Sequence, residues 1–188
     1  MIRNSDRTSA LPLPGGVHWT GRAEEAVAFT VREQLGKKEL WREFADLFRY
    51  EPDDADLGWR CEFWGKTMRG ACLVYRATGD DRLYGIIEES VRDMLSTERA
   101  DGSFSTYSDE RRFSGWDVWG RKYVLTGFLH FYEICRDPEL AGFVVEAAVR
   151  HADALIAHVG PGKKNITETS NHWLGVNSCS VLEPVVFL

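Results

Sequence analysis

The sequence predicts an all-α protein built of stacked helical hairpins. Three observations carry that prediction. Apolar residues recur at helical spacing in the long segments. Asp and Gly stand at the starts and stops of those segments. And one unit, helix, short turn, helix, long loop, occurs twice at an offset of 57 residues.

Taken in order, residues 1–20 read as a loose arm, polar and then rich in Pro and Gly, with no apolar core of signal-peptide length. Residues 23–35 and 38–50 have helical spacing. An acidic loop, EPDDADLG, follows. Residues 62–77 form an outgoing helix, T-G-D-D turns the chain, and residues 81–97 return. After the long loop ERADGSFSTYSDERRFSG, residues 116–135 go out again. Arg136-Asp137-Pro138 turns, and residues 139–159 return. Tyr75 maps to Tyr132, Leu83 to Leu140 and Gly85 to Gly142. Val91 maps to Ala148, one short of Val149, so the match loosens there. A second long loop, GPGKKNITETSNHW, leads to residues 178–188, which start a third outgoing helix and stop inside its apolar run. Residues 21–188 therefore read as the N-terminal part of an α/α toroid, with the remainder expected after Leu188. Hairpins that cannot bury an apolar face alone must stack on neighbours, and every long loop then lies at one end of the stack.

Composition narrows the function. A net charge of −6 argues against nucleic acid. No stretch reaches the ~20 apolar residues of a membrane span. Cys61, Cys72, Cys135 and Cys179 form no C-x-x-C pair, so they read as reduced thiols of a cytoplasmic protein. Gly160-Pro161-Gly162-Lys163-Lys164 lacks phosphate-loop spacing, and there is no G-x-S-x-G elbow.

The seven tryptophans are the unusual feature. Trp116, Asp117, Trp119, Arg121 and Lys122 crowd one helix start, with Trp64 and Lys66 at the equivalent start before it. Flat aromatics stack on the C–H face of a sugar ring, and charged groups beside them fix its hydroxyls. The candidate set is Trp64, Lys66, Phe104, Tyr107, Trp116, Asp117, Trp119, Arg121, Lys122, His172 and Trp173, with carbohydrate the expected partner. The competing reading makes Trp64 and Trp119 core residues. It makes Asp117 a helix cap or one half of an i,i+4 pair with Arg121. Asp101, Asp117 and Glu183 are the carboxyls available for glycosidase chemistry, Asp117 being the catalytic candidate. His130, His151 and His158 read as surface or core residues, and His172, in N-H-W, as site or structure.

Four stretches, F-W-G-K-T…Y-R-A-T-G-D-D-R-L (63–83), D-G-S-F-S-T-Y (101–107), G-W-D-V-W-G-R-K-Y-V-L-T-G-F-L (115–129) and N-S-C-S-V-L-E-P-V-V-F-L (177–188), resemble the N-terminal barrel region of the β-L-arabinofuranosidase-like proteins, glycoside hydrolase family 127. The resemblance implies an (α/α)6 barrel of six hairpins. It also implies hydrolysis of a glycosidic bond to a terminal sugar such as L-arabinofuranose. In that family a zinc-bound cysteine is the nucleophile and a glutamate the acid/base. The resemblance puts these groups beyond Leu188, so zinc is expected only in a full-length member and this chain would lack the main catalytic residues. The family's H-E-L-Y-C-x-G-H stretch corresponds to residues 121–128, where Arg121 and Phe128 replace both sugar-facing histidines. Arg121 and Lys122 point towards a more acidic sugar. The alternative is a non-catalytic helical-hairpin module that binds a protein or a carbohydrate.

Overall fold

A computed structural model describes residues 20–54 and 58–188. The predicted N-terminal arm lies outside the described residues except for Thr20. Among the described residues the protein is all-α, with a single isolated bridge between Val159 and Lys164 and no strand.

Helix α1 (Arg22–Thr30) continues into one wider turn, Val31–Leu35, closed by the Gly36 N–H on the Val31 carbonyl at 2.8 Å. Helix α2 (Lys38–Tyr50) buries Trp41, Ala45 and Phe48, one face at i, i+4 and i+7. The first full hairpin is α3 (Phe63–Thr78) and α4 (Asp81–Leu95). Its turn is built as the sequence predicts. Gly79 is left-handed at φ 67° and donates to the Tyr75 carbonyl at 2.8 Å, closing α3. Asp80 then caps α4, accepting from the amides of Arg82 (2.9 Å) and Leu83 (3.2 Å).

The second hairpin is α5 (Asp117–Tyr132) and α6 (Pro138–His158). Asp137 caps α6 through the amides of Glu139 and Leu140, with Pro138 at the first helical position, where its missing N–H costs nothing. Burial shows that the repeat keeps its register to the end of the return helix. The face of α4 buries Leu83, Ile87, Ser90, Val91 and Met94; that of α6 buries Leu140, Val144, Ala147, Ala148 and His151. Ala148 is thus the true equivalent of Val91. Val149 turns outward, so the apparent slip in sequence is a change of residue size and not of register.

Outgoing helices α3 and α5 pack with their backbones close together. A Cβ on Gly65 would fall 1.8 Å from the Tyr123 carbonyl oxygen, and one on Gly127 would fall 2.5 Å from the Trp64 ring. The third outgoing segment differs from expectation. It forms two short pieces, α7 (Val176–Cys179) and α8 (Leu182–Phe187), and not one helix from residue 178. Pro184 has no N–H to donate to a helix arriving from α7, but it is tolerated in the first turn of a helix that restarts at Leu182.

Candidate functional site

The loop end of the stack is pinned by two buried aspartates. Asp53 accepts from Arg60 Nε (2.7 Å), the Cys61 amide (3.2 Å) and the Thr106 hydroxyl (2.7 Å). Asp117 accepts from the Ser105 hydroxyl (2.6 Å), the Phe113 amide (2.8 Å) and Arg121 Nε (3.1 Å). Together they tie loop 103–113 to the start of both outgoing helices. Asp117 occupies the first position of α5, not the cap, and forms the predicted i,i+4 pair with Arg121. Both its oxygens are taken and it is 1 % exposed, so it is placed as an internal bolt.

Over these bolts lies an aromatic wall. The His172 ring stacks on Trp116 at 4.4 Å and 21°. Trp173 meets Trp116 edge-on at 5.3 Å, and Trp119 does so at 5.9 Å. Trp119 in turn meets Tyr123 edge-on at 5.2 Å. The outermost ring, Trp173, is 69 % exposed. Its backbone and that of Leu174 are left-handed, at φ 47° and 54°, conformations that bulky residues avoid. Gly175 holds the turn in place. It is also left-handed, donates to the His172 carbonyl at 2.9 Å, and sits where a Cβ would fall 2.2 Å from the Thr167 carbonyl oxygen. Strain of this kind persists where the surroundings impose it, and it clusters at functional sites.

Below Trp119 and Tyr123 the charges are paired. Lys66 Nζ lies 5.6 Å and 4.9 Å from the two ring centres, and Lys122 Nζ lies 5.3 Å and 4.9 Å from the same two. Lys66 pairs with Glu62 at 2.7 Å and Lys122 with Glu183 at 2.9 Å. The Trp119 indole N–H donates to Glu62. The hydrogen bond and charge of Lys122 hold the Glu183 carboxyl below its ordinary range.

Of the expected site residues, Lys66, Trp116, Trp119, Lys122, His172 and Trp173 come together here. The others are interior. Trp64 is fully buried, edge-on to Phe128 at 5.4 Å, with its indole N–H on the Ser90 hydroxyl at 3.0 Å. Tyr107 is buried and donates to the Gly58 carbonyl. Phe104, Asp117 and Arg121 are buried as well. Asp101 binds Ser103 and Arg112, and so locks its own loop. Sequence reasoning missed Glu62 and Tyr123. The signal for Glu62 was its place one repeat interval before Trp119.

Among the described residues no cluster of three or more His, Cys, Asp or Glu is arranged to hold a metal. Burial pushes the thiols of Cys61 and Cys72 well above their usual range, and Cys135 bonds the Asp137 carbonyl at 3.2 Å. No helix among the described residues is long and apolar enough to cross a membrane. No family model, curated protein or solved structure matches this chain. Its class is therefore defined by its own architecture, a helical-hairpin repeat with an aromatic wall at its loop end.

Proposed function

We propose that this wall binds carbohydrate, and that the chain contributes the sugar-holding part of a glycoside-hydrolase-like (α/α)6 barrel acting on a terminal sugar such as L-arabinofuranose. The observation that carries the reading is the Trp116–His172–Trp173 group. It offers an exposed, rigidly held indole beside polar edges, the combination that stacks on a sugar ring and orients its hydroxyls. Both lysines beneath it already have carboxylate partners, which favours a neutral sugar over an acidic one. Catalysis is not assigned to Asp117, whose oxygens serve the fold.

Calorimetric titration with neutral and acidic mono- and oligosaccharides tests this. Saturable binding of a neutral sugar that is lost in Trp173→Ala supports it; no binding by any sugar overturns it. A protein partner is the second reading. It is favoured by the exposed apolar residues of the C-terminal segment, Leu174, Val176, Leu182, Val186 and Phe187.

A further inference from the structure

Beneath the aromatic wall, α5 and α7 carry buried hydrogen-bonding groups, donors and acceptors both, with no partner among the described residues. The Arg121 guanidinium is 1 % exposed. Its Nε is spent on Asp117, while Nη1 and Nη2 have no partner among the described residues. Asp117 does not meet them: its two oxygens take Ser105, the Phe113 amide and Nε. The face of the guanidinium lies on Phe113, 4.8 Å from the ring centre. Near it on α6 is His151, fully inside the protein. Its Nδ1 accepts the Phe104 amide at 3.0 Å, so the proton is on Nε2, and that N–H lies by the Arg121 backbone. Burial and then the nearby Arg121 charge drive the His151 pKa down to about 3, so the ring stays neutral. On α7 the Asn177 amide and the Ser178 hydroxyl are buried and unpartnered too.

A buried guanidinium with both terminal nitrogens open costs several kcal/mol unless an acceptor meets it. The terminal nitrogens form a planar fork, and the group that fits a fork is a planar oxyanion held by two parallel N–H···O bonds. One carboxylate, Asp117, already offsets the arginine's charge, but it leaves the fork itself untouched.

We propose that the Arg121 fork forms an internal binding site for a small planar carboxylate, of formate or acetate size. The ligand's two oxygens take the two terminal nitrogens. This site is independent of the sugar reading: it lies inside the protein and uses none of the wall's rings.

The test is the melting temperature of the intact chain in formate, acetate and chloride at constant ionic strength. Formate and acetate are expected to raise it in proportion to the logarithm of their concentration, by roughly 5–10 °C at a hundred times the dissociation constant, while chloride does not. Arg121→Gln is expected to abolish the carboxylate effect, and the surface control Arg92→Gln to keep it. Equal melting in all three salts would mean that water alone fills the site, and overturns the proposal. So does a carboxylate effect that survives in Arg121→Gln. Should that variant not fold, carbon-13 relaxation of labelled formate with the unmodified protein decides. Broadening reversed by acetate but not by chloride supports the site, and its absence rejects it.

Discussion

Glu62 accepts the indole N–H of Trp119, and the two residues stand one repeat interval apart, 57 positions. Arg76 and Glu133, also 57 apart, pair at 2.9 Å further along the same two helices. Successive outgoing helices are thus joined at equivalent positions, and the sequence period becomes a physical contact. Glu62 is a nearly buried carboxylate whose other oxygen is held by Lys66, so the indole is part of what keeps it satisfied. Trp119→Phe preserves most of the packing and deletes the donor. A loss of about 1–2 kcal/mol is expected in urea unfolding. The deficit should shrink in a Glu62→Gln background, where no charge is left wanting the bond.

Close packing of α3 on α5 sets a second expectation. At Gly65 the three atoms nearest an added methyl all belong to Tyr123, first its backbone carbonyl, which cannot swing aside. Gly65→Ala should cost about 3 kcal/mol or more. At Gly142, in the interior of α6, nothing lies within 4 Å of an added Cβ. Gly142→Ala should stabilise by about 0.5–1 kcal/mol through helix propensity. Chemical denaturation of the two variants beside the parent decides both.

The pair formed by Asp117 and Arg121 is fully buried. Removing one partner strands the other, so Asp117→Leu should cost about 3–5 kcal/mol. The double variant Asp117→Leu with Arg121→Met should recover part of that loss, since neither charge then remains inside. A double variant no more stable than the single one would contradict the assignment of Asp117 as a structural bolt.

These residues mark where the sequence was readable and where it was not. Caps and turns were legible because Gly79, Asp80 and Asp137-Pro138 act through local backbone geometry, which spacing reveals. The first hairpin was legible because α3 and α4 each bury one apolar face, whereas α5 is buried on most of its sides and was bounded by the turns around it. The aromatic wall was half legible. Trp116 and Trp64 look alike in sequence, each at an outgoing helix start. What separates them is the missing side chain at Gly127, which lets the Trp64 ring into the core. That is a tertiary fact with no local signature. The same holds for Asp53, which reads as one more acid in an acidic loop and is in fact the anchor for Arg60, Cys61 and Thr106.

Stability should fall on the acid side because of His151. Its folded pKa is about 3, lowered first by burial and then by Arg121, against an ordinary value near 6.5. Between those two values the unfolded chain binds a proton that the folded chain refuses. Stability is therefore complete above about pH 6.5 and is lost as pH falls from there towards 3, at a limiting slope of about 1.4 kcal/mol per pH unit. His130 is lowered by burial too, and adds to the same limb despite the opposing charge of Glu133. Asp101 acts lower still. Burial raises its pKa, but Ser103 and Arg112 together hold its carboxyl below its ordinary range. Unfolding free energies from pH 4 to 7 should show a visibly flatter limb in His151→Gln, which keeps an acceptor for the Phe104 amide but does not titrate. An unchanged limb would remove His151 from the account.

Trp173 separates function from stability. Its left-handed backbone costs a non-glycine residue about 1–2 kcal/mol, and its mostly exposed ring returns little burial. Trp173→Gly removes the backbone strain but adds freedom to the unfolded chain, so its net stability should match or slightly exceed the parent. Trp173→Ala keeps the strain and loses the ring's contact with Trp116, and should be about 0.5–1 kcal/mol less stable than the glycine variant. Both should lose ligand binding at the wall, by about tenfold or more, because a stacking platform is gone in each. Thermal unfolding ranks the two variants, and calorimetric titration with the bound sugar measures the loss. A glycine variant that is less stable than the alanine one would show that the turn is not strained. Retained binding in both would move the site away from Trp173.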